Sequence, residues 1–131
     1  MAHRRRADSA TPPDKTCVSC GRRIEWRAKW TDSWKDVRYC SAACRRRGVT
    51  AEDRQLEERI LGMLPSRGST VDPVDVARAA AAGDEQAGRA LVEPVRRAAR
   101  RLVDRGDVVI VQNGAVVDPS TARGTIAIRR P

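Results

Sequence analysis

Apolar positions are arranged differently on the two sides of residue 50. From Thr50 onward they are periodic. Leu56, Ile60, Met63 and Leu64 fall on one helical face. Thr50 followed three residues later by Asp53 has the form of a capping box, and Pro65 and Gly68 end the helix. Ser69-Thr70-Val71 predicts a short strand. Asp72-Pro73 reads as an N-cap with proline in the first turn, so a second short helix runs to about Ala80. Val95, Ala98, Ala99, Leu102 and Val103 repeat at the spacing of a buried stripe, which predicts a third and longest helix. Gly106 stops it. Pro94 either starts this helix or kinks a longer one that begins near Asp84. Val108 to Val111 is β-branched, Asn113-Gly114 is a strong two-residue hairpin turn, and Ala115-Val116-Val117 returns. Residues 125–128 are a candidate last strand. Helix, strand, helix, helix, hairpin is the order of a winged helix, expected here over residues 51–131. Such an order does not by itself establish DNA binding.

Before residue 50 there is no comparable period. Residues 1–15 are polar and basic and carry Pro12-Pro13, which predicts a disordered arm. Residues 16–47 hold every cysteine, all three tryptophans and the only tyrosine, in what reads as one compact module. Residues 48–50 form a short link. Trp26, Trp30 and Trp34 recur every four residues, a spacing that gives one face in a helix or a strand. They are either a stacking platform for exposed bases or the core of a small domain with little else apolar. Burial is the favoured reading, with one ring left exposed between Arg27 and Lys29 as the alternative.

The cysteines change the picture most. Cys17 and Cys20 are spaced C-x2-C, 19 residues follow, and Cys40 and Cys44 are spaced C-x3-C. Two close thiolate pairs separated by a loop suit one tetrahedral Zn2+ ion. Gly21 permits the tight backbone of a zinc knuckle, and Cys40 and Cys44 can project from one helical turn. A knuckle plus a helix-borne pair is the layout of a treble clef. A segment of about 30 residues buries too little to fold alone, so the metal is expected to hold it together. Four thiolates leave no open position, which makes the zinc structural rather than catalytic. His3 is not needed as a ligand. The expected class is therefore α+β: a small treble-clef-like zinc module followed by a winged-helix domain. Residues 51–131 are expected to fold without metal.

Charge separates the halves again. The 131 residues carry 26 basic and 17 acidic side chains, a net charge of +9. Residues 1–50 hold 13 basic and 5 acidic side chains, so nearly all of the excess is there. The basic residues are mostly arginine; Lys15, Lys29 and Lys35 are the only lysines. An excess of this size favours a polyanionic partner. Arg4 to Arg6, Arg22 with Arg23, and Arg45 to Arg47 form three clusters. Candidate phosphate contacts are Arg22, Arg23, Arg27, Lys29, Arg45, Arg46 and Arg47. If Val95, Ala99 and Leu102 face the core, then Arg89, Arg96, Arg97, Arg100 and Arg101 face outward and could enter a DNA groove. Glu93 and Asp104 share that face and would repel phosphate. The competing reading is a solvated helix with pairs such as Glu93–Arg97.

No apolar run follows Arg4 to Arg6, so no secretion signal is predicted, and no stretch is long and apolar enough to span a membrane. A cytoplasmic location is expected, where cysteines point to metal rather than disulfides. There is no G-x-S-x-G, P-loop or glycine-rich dinucleotide fingerprint, and no cluster of histidines. An enzyme is not expected, nor is a small-molecule substrate.

Cys17-x-x-Cys20-Gly21, Trp26-Arg27-x-Lys29-Trp30, Trp34, Val37-x-Tyr39-Cys40-Ser41 and Cys44-Arg45-Arg46 resemble a bacterial family of small four-cysteine, zinc-binding proteins of unknown function. The resemblance covers residues 17–47. Leu56-Glu57 to Arg67-Gly68, Val76-Ala77-Arg78, Val95-Arg96 with Ala99, and Gln112 to Asp118-Pro119 resemble a second uncharacterised bacterial family, described as winged-helix-like. Together they imply two domains and a zinc site, and no established activity. The expected function is nucleic-acid binding, DNA before RNA, in a regulatory setting. The alternatives are a protein-interaction adaptor or an RNA- or ribosome-associated factor.

Overall fold

The computed structural model describes residues 11–131. Most of the expected arm, including His3 and Arg4 to Arg6, lies outside the described residues. Lys15 does not belong to an irregular arm: β1 (Lys15–Thr16) pairs antiparallel with β2 (Arg23–Ile24). The Lys15 ammonium also donates to the carbonyls of Trp34 and Val37. Composition alone could not show this pairing, because the partners lie further along the chain. Between the strands, Gly21 N–H donates to Cys17 O at 3.0 Å and closes a tight turn. Two single 3-10 turns follow, Ala28–Trp30 and Trp34–Asp36, and then α1 (Ala42–Arg47). The tryptophans thus sit on turns rather than along one regular helix or strand. Trp34 is buried with Ile24 and three of the cysteines, while Trp26 and Trp30 pack half-buried against that small core.

The remainder follows the apolar pattern closely. In α2 (Ala51–Gly62) the capping box forms in both directions, Asp53 N–H to Thr50 Oγ1 at 3.1 Å and Thr50 N–H to the Asp53 carboxylate at 2.9 Å. Next come β3 (Thr70–Val71) and α3 (Pro73–Ala80), the latter capped by Asp72 with proline in its first turn. The longest helix, α4, runs from Glu85 to Asp104 with Asp84 as its cap. Pro94 therefore lies inside one continuous helix. It removes one backbone hydrogen bond, but Val95, Ala98, Ala99 and Leu102, all fully buried, anchor the turns that follow. Strands β4 (Val109–Gln112) and β5 (Ala115–Val117) form the hairpin, with Asn113 and Gly114 both at positive φ as a two-residue turn requires. The last strand, β6 (Ala127–Arg129), inserts between β3 and β4, so the sheet order is β3-β6-β4-β5 and every pairing is antiparallel. Leu56, Ile60, Leu64, Val76, Val95, Leu102, Ile110 and Ile128 meet in one core of mixed α+β composition.

The two segments are joined through buried arginines, which overturns one expectation. Arg100 and Arg101, expected on the outer face of the long helix, are each only 5% exposed. They occupy the two flanks of the Val95–Leu102 stripe, and the turn between β1 and β2 covers them. Arg100 Nε donates to Cys20 O at 2.6 Å, and Arg101 Nη1 donates to Ser19 O at 2.7 Å. Arg101 Nε also donates to Glu57 Oε2 at 2.6 Å. Glu57, itself buried, pairs in addition with Arg54 at 3.1 Å and Arg105 at 2.9 Å. Arg100 completes its set with Glu93 at 2.9 Å. Gly21 rests directly on this helix. A Cβ there would stand 2.4 Å from Arg100 Cβ and 2.8–2.9 Å from helix backbone atoms.

Gly21→Ala should destabilise the protein by about 2–4 kcal/mol, from its positive φ and from the clash with α4 together; denaturant melts of the variant measure it. Acid should weaken the same junction. Burial alone would raise the Glu57 carboxyl, but the Arg101, Arg105 and Arg54 guanidiniums outweigh burial and hold it below its ordinary value of 4.5. A carboxyl depressed in the folded state stabilises above its unfolded value, and the gain is lost as pH falls below about 4.5. Thermal melts between neutral pH and this range should show that loss, and Glu57→Gln should start lower and fall less steeply.

Candidate metal centre and the basic surface beside it

Local backbone chemistry places the four sulfurs. The turn between β1 and β2 carries Cys17 and Cys20 and directs N–H groups at sulfur: Cys20 N–H points at Cys17 Sγ over 3.5 Å, and Cys40 N–H over 3.4 Å. Val18 N–H donates to Arg38 O at 3.0 Å, which draws the chain before Cys40 against the first pair. Ser41 caps α1 by accepting from Cys44 N–H at 3.1 Å. Cys44 thus lies in the first turn of α1. Cys40 precedes the cap and is not on the helix, because the residue before an N-cap has left helical geometry.

All four sulfurs lie within 4.8 Å of one another, and both Cys20–Cys40 and Cys40–Cys44 are 3.6 Å apart. A tetrahedron with metal–sulfur bonds of about 2.3 Å has edges of about 3.8 Å, so the set fits one ion. Disulfide bonds do not join these cysteines. Charge makes the same point. Burial, then the thiols of Cys44 and Cys20, push Cys40 up to about 12. Burial also raises Cys20. Burial works against Cys44 as well, but the Ser41 and Cys40 contacts outweigh it and bring the thiol down to about 7. Four thiolates this close need a cation to balance them, and uptake of that cation releases protons. With every donor a sulfur, an ion held by all four cysteines would have a filled tetrahedral shell. Cys40 is the exposed member; the other three are buried.

The candidate phosphate contacts separate into three groups. Arg22, Arg27, Lys29, Arg45, Arg46, Arg47 and Arg89 are exposed. Arg27 and Lys29 lie 5.8 and 5.2 Å from the Trp30 ring centroid. Arg23, although exposed, is neutralised: it meets Asp118 at 2.7 Å and Asp14 and Glu25 at 3.6 Å, and its backbone N–H donates to Ser120 Oγ. It ties the two segments a second time. On α4, Arg96 donates to Gly124 O at 3.0 Å, and Arg97 is half-buried close enough to Arg47 to feel its charge. Arg100 and Arg101 are inside the junction described above. The outward arginine face expected on the long helix is largely consumed by internal bonds.

Arg38 belongs to this surface although it lies in none of the basic clusters along the chain. Arg38 and Tyr39 join Lys29, Trp30 and Arg45 around an open groove of about 500 Å³ that reaches Cys40. Arg38 stands alone in the chain, so a search for runs of basic residues passes over it. Its position two residues before Cys40, mirroring Arg46 two residues after Cys44, is the available signal.

Purified protein should carry one metal ion per chain, and Cys40→Ser should release it. Stripping the metal with a chelator should also lower the melting temperature of the core formed by residues 51–131, since Ser19 and Cys20 would no longer hold their carbonyls against α4. Metal analysis and a melt followed by hydrogen exchange read both effects.

No curated protein matches the chain. Residues 9–47 match the model of a family described as an uncharacterized protein conserved in bacteria (DUF2256). Residues 53–131, more than half of the chain, match a second model. With that match the chain belongs to the family described as protein of unknown function (DUF3253).

Proposed function

We propose that this protein binds nucleic acid through the basic face of its four-cysteine module, with one zinc ion holding that module in shape. Four thiolates in a closed tetrahedral set favour zinc over the oxygen-seeking metals. The knuckle between β1 and β2, followed by α1, gives the module a treble-clef layout. The second segment has winged-helix element order, with β4–β5 as the wing and β6 as an added strand.

The observation that carries the reading is the state of the cations. Arg22, Arg27, Lys29, Arg38, Arg45 and Arg46 are exposed, and none has an acidic partner within 4.0 Å among the described residues. Unpaired surface cations in this number are what a phosphate backbone neutralises on binding. The long helix supports base readout less well. Its exposed first half presents Glu85 and Glu93, with the cap Asp84, against Arg89 alone. Groove entry by this half would bring carboxylates toward phosphate. The proposed contact is therefore backbone-led, and DNA and RNA are both within its chemistry.

Phosphate binding releases counterions, so affinity should fall steeply as salt rises. Replacing Arg45, Arg46 and Arg47 together by alanine should weaken binding to all sequences and flatten the log–log salt slope by about one unit for each phosphate no longer neutralised. Fluorescence anisotropy on labelled DNA and RNA measures both quantities. Absence of binding at low salt, with zinc present, would replace this reading by that of a protein-interaction adaptor.

A further inference from the structure

We infer that the ligand of this surface is an unpaired strand, held where the groove of Lys29, Arg38 and Arg45 meets the Trp30 ring. The inference rests on the nucleic-acid reading above and narrows it. The groove encloses about 500 Å³, inside the ~300–1,000 Å³ range of clefts that hold one small ligand unit. Its cations come from three separate stretches of chain: Lys29 from the first 3-10 turn, Arg38 from the segment before Cys40, and Arg45 from α1. The metal centre sets their relative positions, because Cys40 and Cys44 bracket the start of α1 and Arg38 O is bonded to Val18 beside Cys17.

Trp30 supplies what a duplex does not use. It stacks on Trp34 at 5.7 Å between centroids and 22° between planes, which fixes its ring, and it remains half-exposed. It lines this groove and also a second one, formed with Trp26, Arg27, Cys40 and Ser120. A strand running from one groove to the other would cross the Trp30 ring, near the Arg27 and Lys29 cations 5.8 and 5.2 Å from its centroid. Bases that are free to unstack can lie on such a ring, whereas bases in a duplex are already stacked and present only their edges. Tyr39 adds a second aromatic wall. Among the described residues, Asp36 is the one acid lining the first groove, and it opposes phosphate there.

The probes are labelled single strands of deoxythymidine and of uridine, about 12 nucleotides long, a duplex of the same length, and a uridine mononucleotide as competitor. Intact zinc-loaded protein is used throughout. Single strands should bind at least tenfold more tightly than duplex. Trp30→Ala should weaken single-strand binding about 5- to 150-fold, the range that ~1–3 kcal/mol of base stacking represents, while Trp30→Phe retains most of it. Arg38→Ala, an exposed change that leaves the backbone bond to Val18 intact, should flatten the salt slope by about one unit. Asp36→Asn should tighten binding. Equal affinity for duplex and single strand, with Trp30→Ala and Arg38→Ala both silent, overturns the unpaired-strand inference and leaves nucleic-acid binding in place. Competition by mononucleotide as strong as by the oligonucleotide overturns the two-groove path in favour of a single nucleotide site. No binding to any probe at low salt removes the underlying reading as well.

Discussion

Arg100 and Arg101 project from the long helix onto carbonyl oxygens of the Cys17–Cys20 turn, and the two segments of the molecule meet at that junction. Guanidinium groups keep their charge at any accessible pH and donate in a fixed planar fork. Placed at an interface that excludes water, they must be satisfied. Ser19 O, Cys20 O, Glu57 and Glu93 do this at 2.6–2.9 Å. Removing one partner would leave a buried charge unpaired, a change on the order of 3–5 kcal/mol. The arrangement therefore makes the position of two backbone carbonyls a condition for the packing of α4. Those carbonyls belong to residues of the Cys17–Cys20 turn, whose shape depends on what the cysteines bind. A metal held by these cysteines would be coupled to the helix through a hydrogen-bonded chain only a few atoms long.

This coupling explains the placement of two unusual residues. Gly21 has positive φ, which the turn needs, and it also lacks the Cβ that would strike Arg100. Either requirement alone would favour glycine; both together leave no other choice. Glu57 is a buried carboxylate held by three arginines, Arg54, Arg101 and Arg105, one of which reaches across to the four-cysteine module. The net gain from such a pair is small, because the desolvation of both ions offsets much of their attraction.

The same junction decides how charge is displayed. On the long helix Arg100 and Arg101 are turned inward and Arg96 is tied to Gly124 O, while Arg22, Arg27, Lys29, Arg38, Arg45 and Arg46 of the small module face solvent with no acidic partner among the described residues. A surface of this kind exists only while the module is ordered. Its core is Trp34, Ile24 and the buried cysteines, a small apolar area that a metal held by the cysteines would supplement. The proposed phosphate surface is thus a property of the metal-bound form.

Local order was legible in the sequence. The Thr50 and Asp72 caps, the Asn113-Gly114 turn and the Val95–Leu102 stripe each form as their residues require, because caps, turns and periodicity depend on neighbours within a few positions. The cysteine quartet was legible for the same reason, two short motifs each closing on itself. Whether Pro94 started or interrupted a helix was not legible, since buried residues on the far side of it had to hold the next turns in place. Nor was the fate of Arg100 and Arg101. Helical geometry puts them on the flanks of a buried stripe, and a flank is solvent or interface according to what lies beside it. Their partners are 80 and 82 residues away in the chain. The sequence by itself determined the helices and the hairpin after residue 50 and the cysteine quartet. Only the tertiary structure decided which arginines bind inward and which remain for a partner, because that choice rests on a junction with no local pattern to announce it.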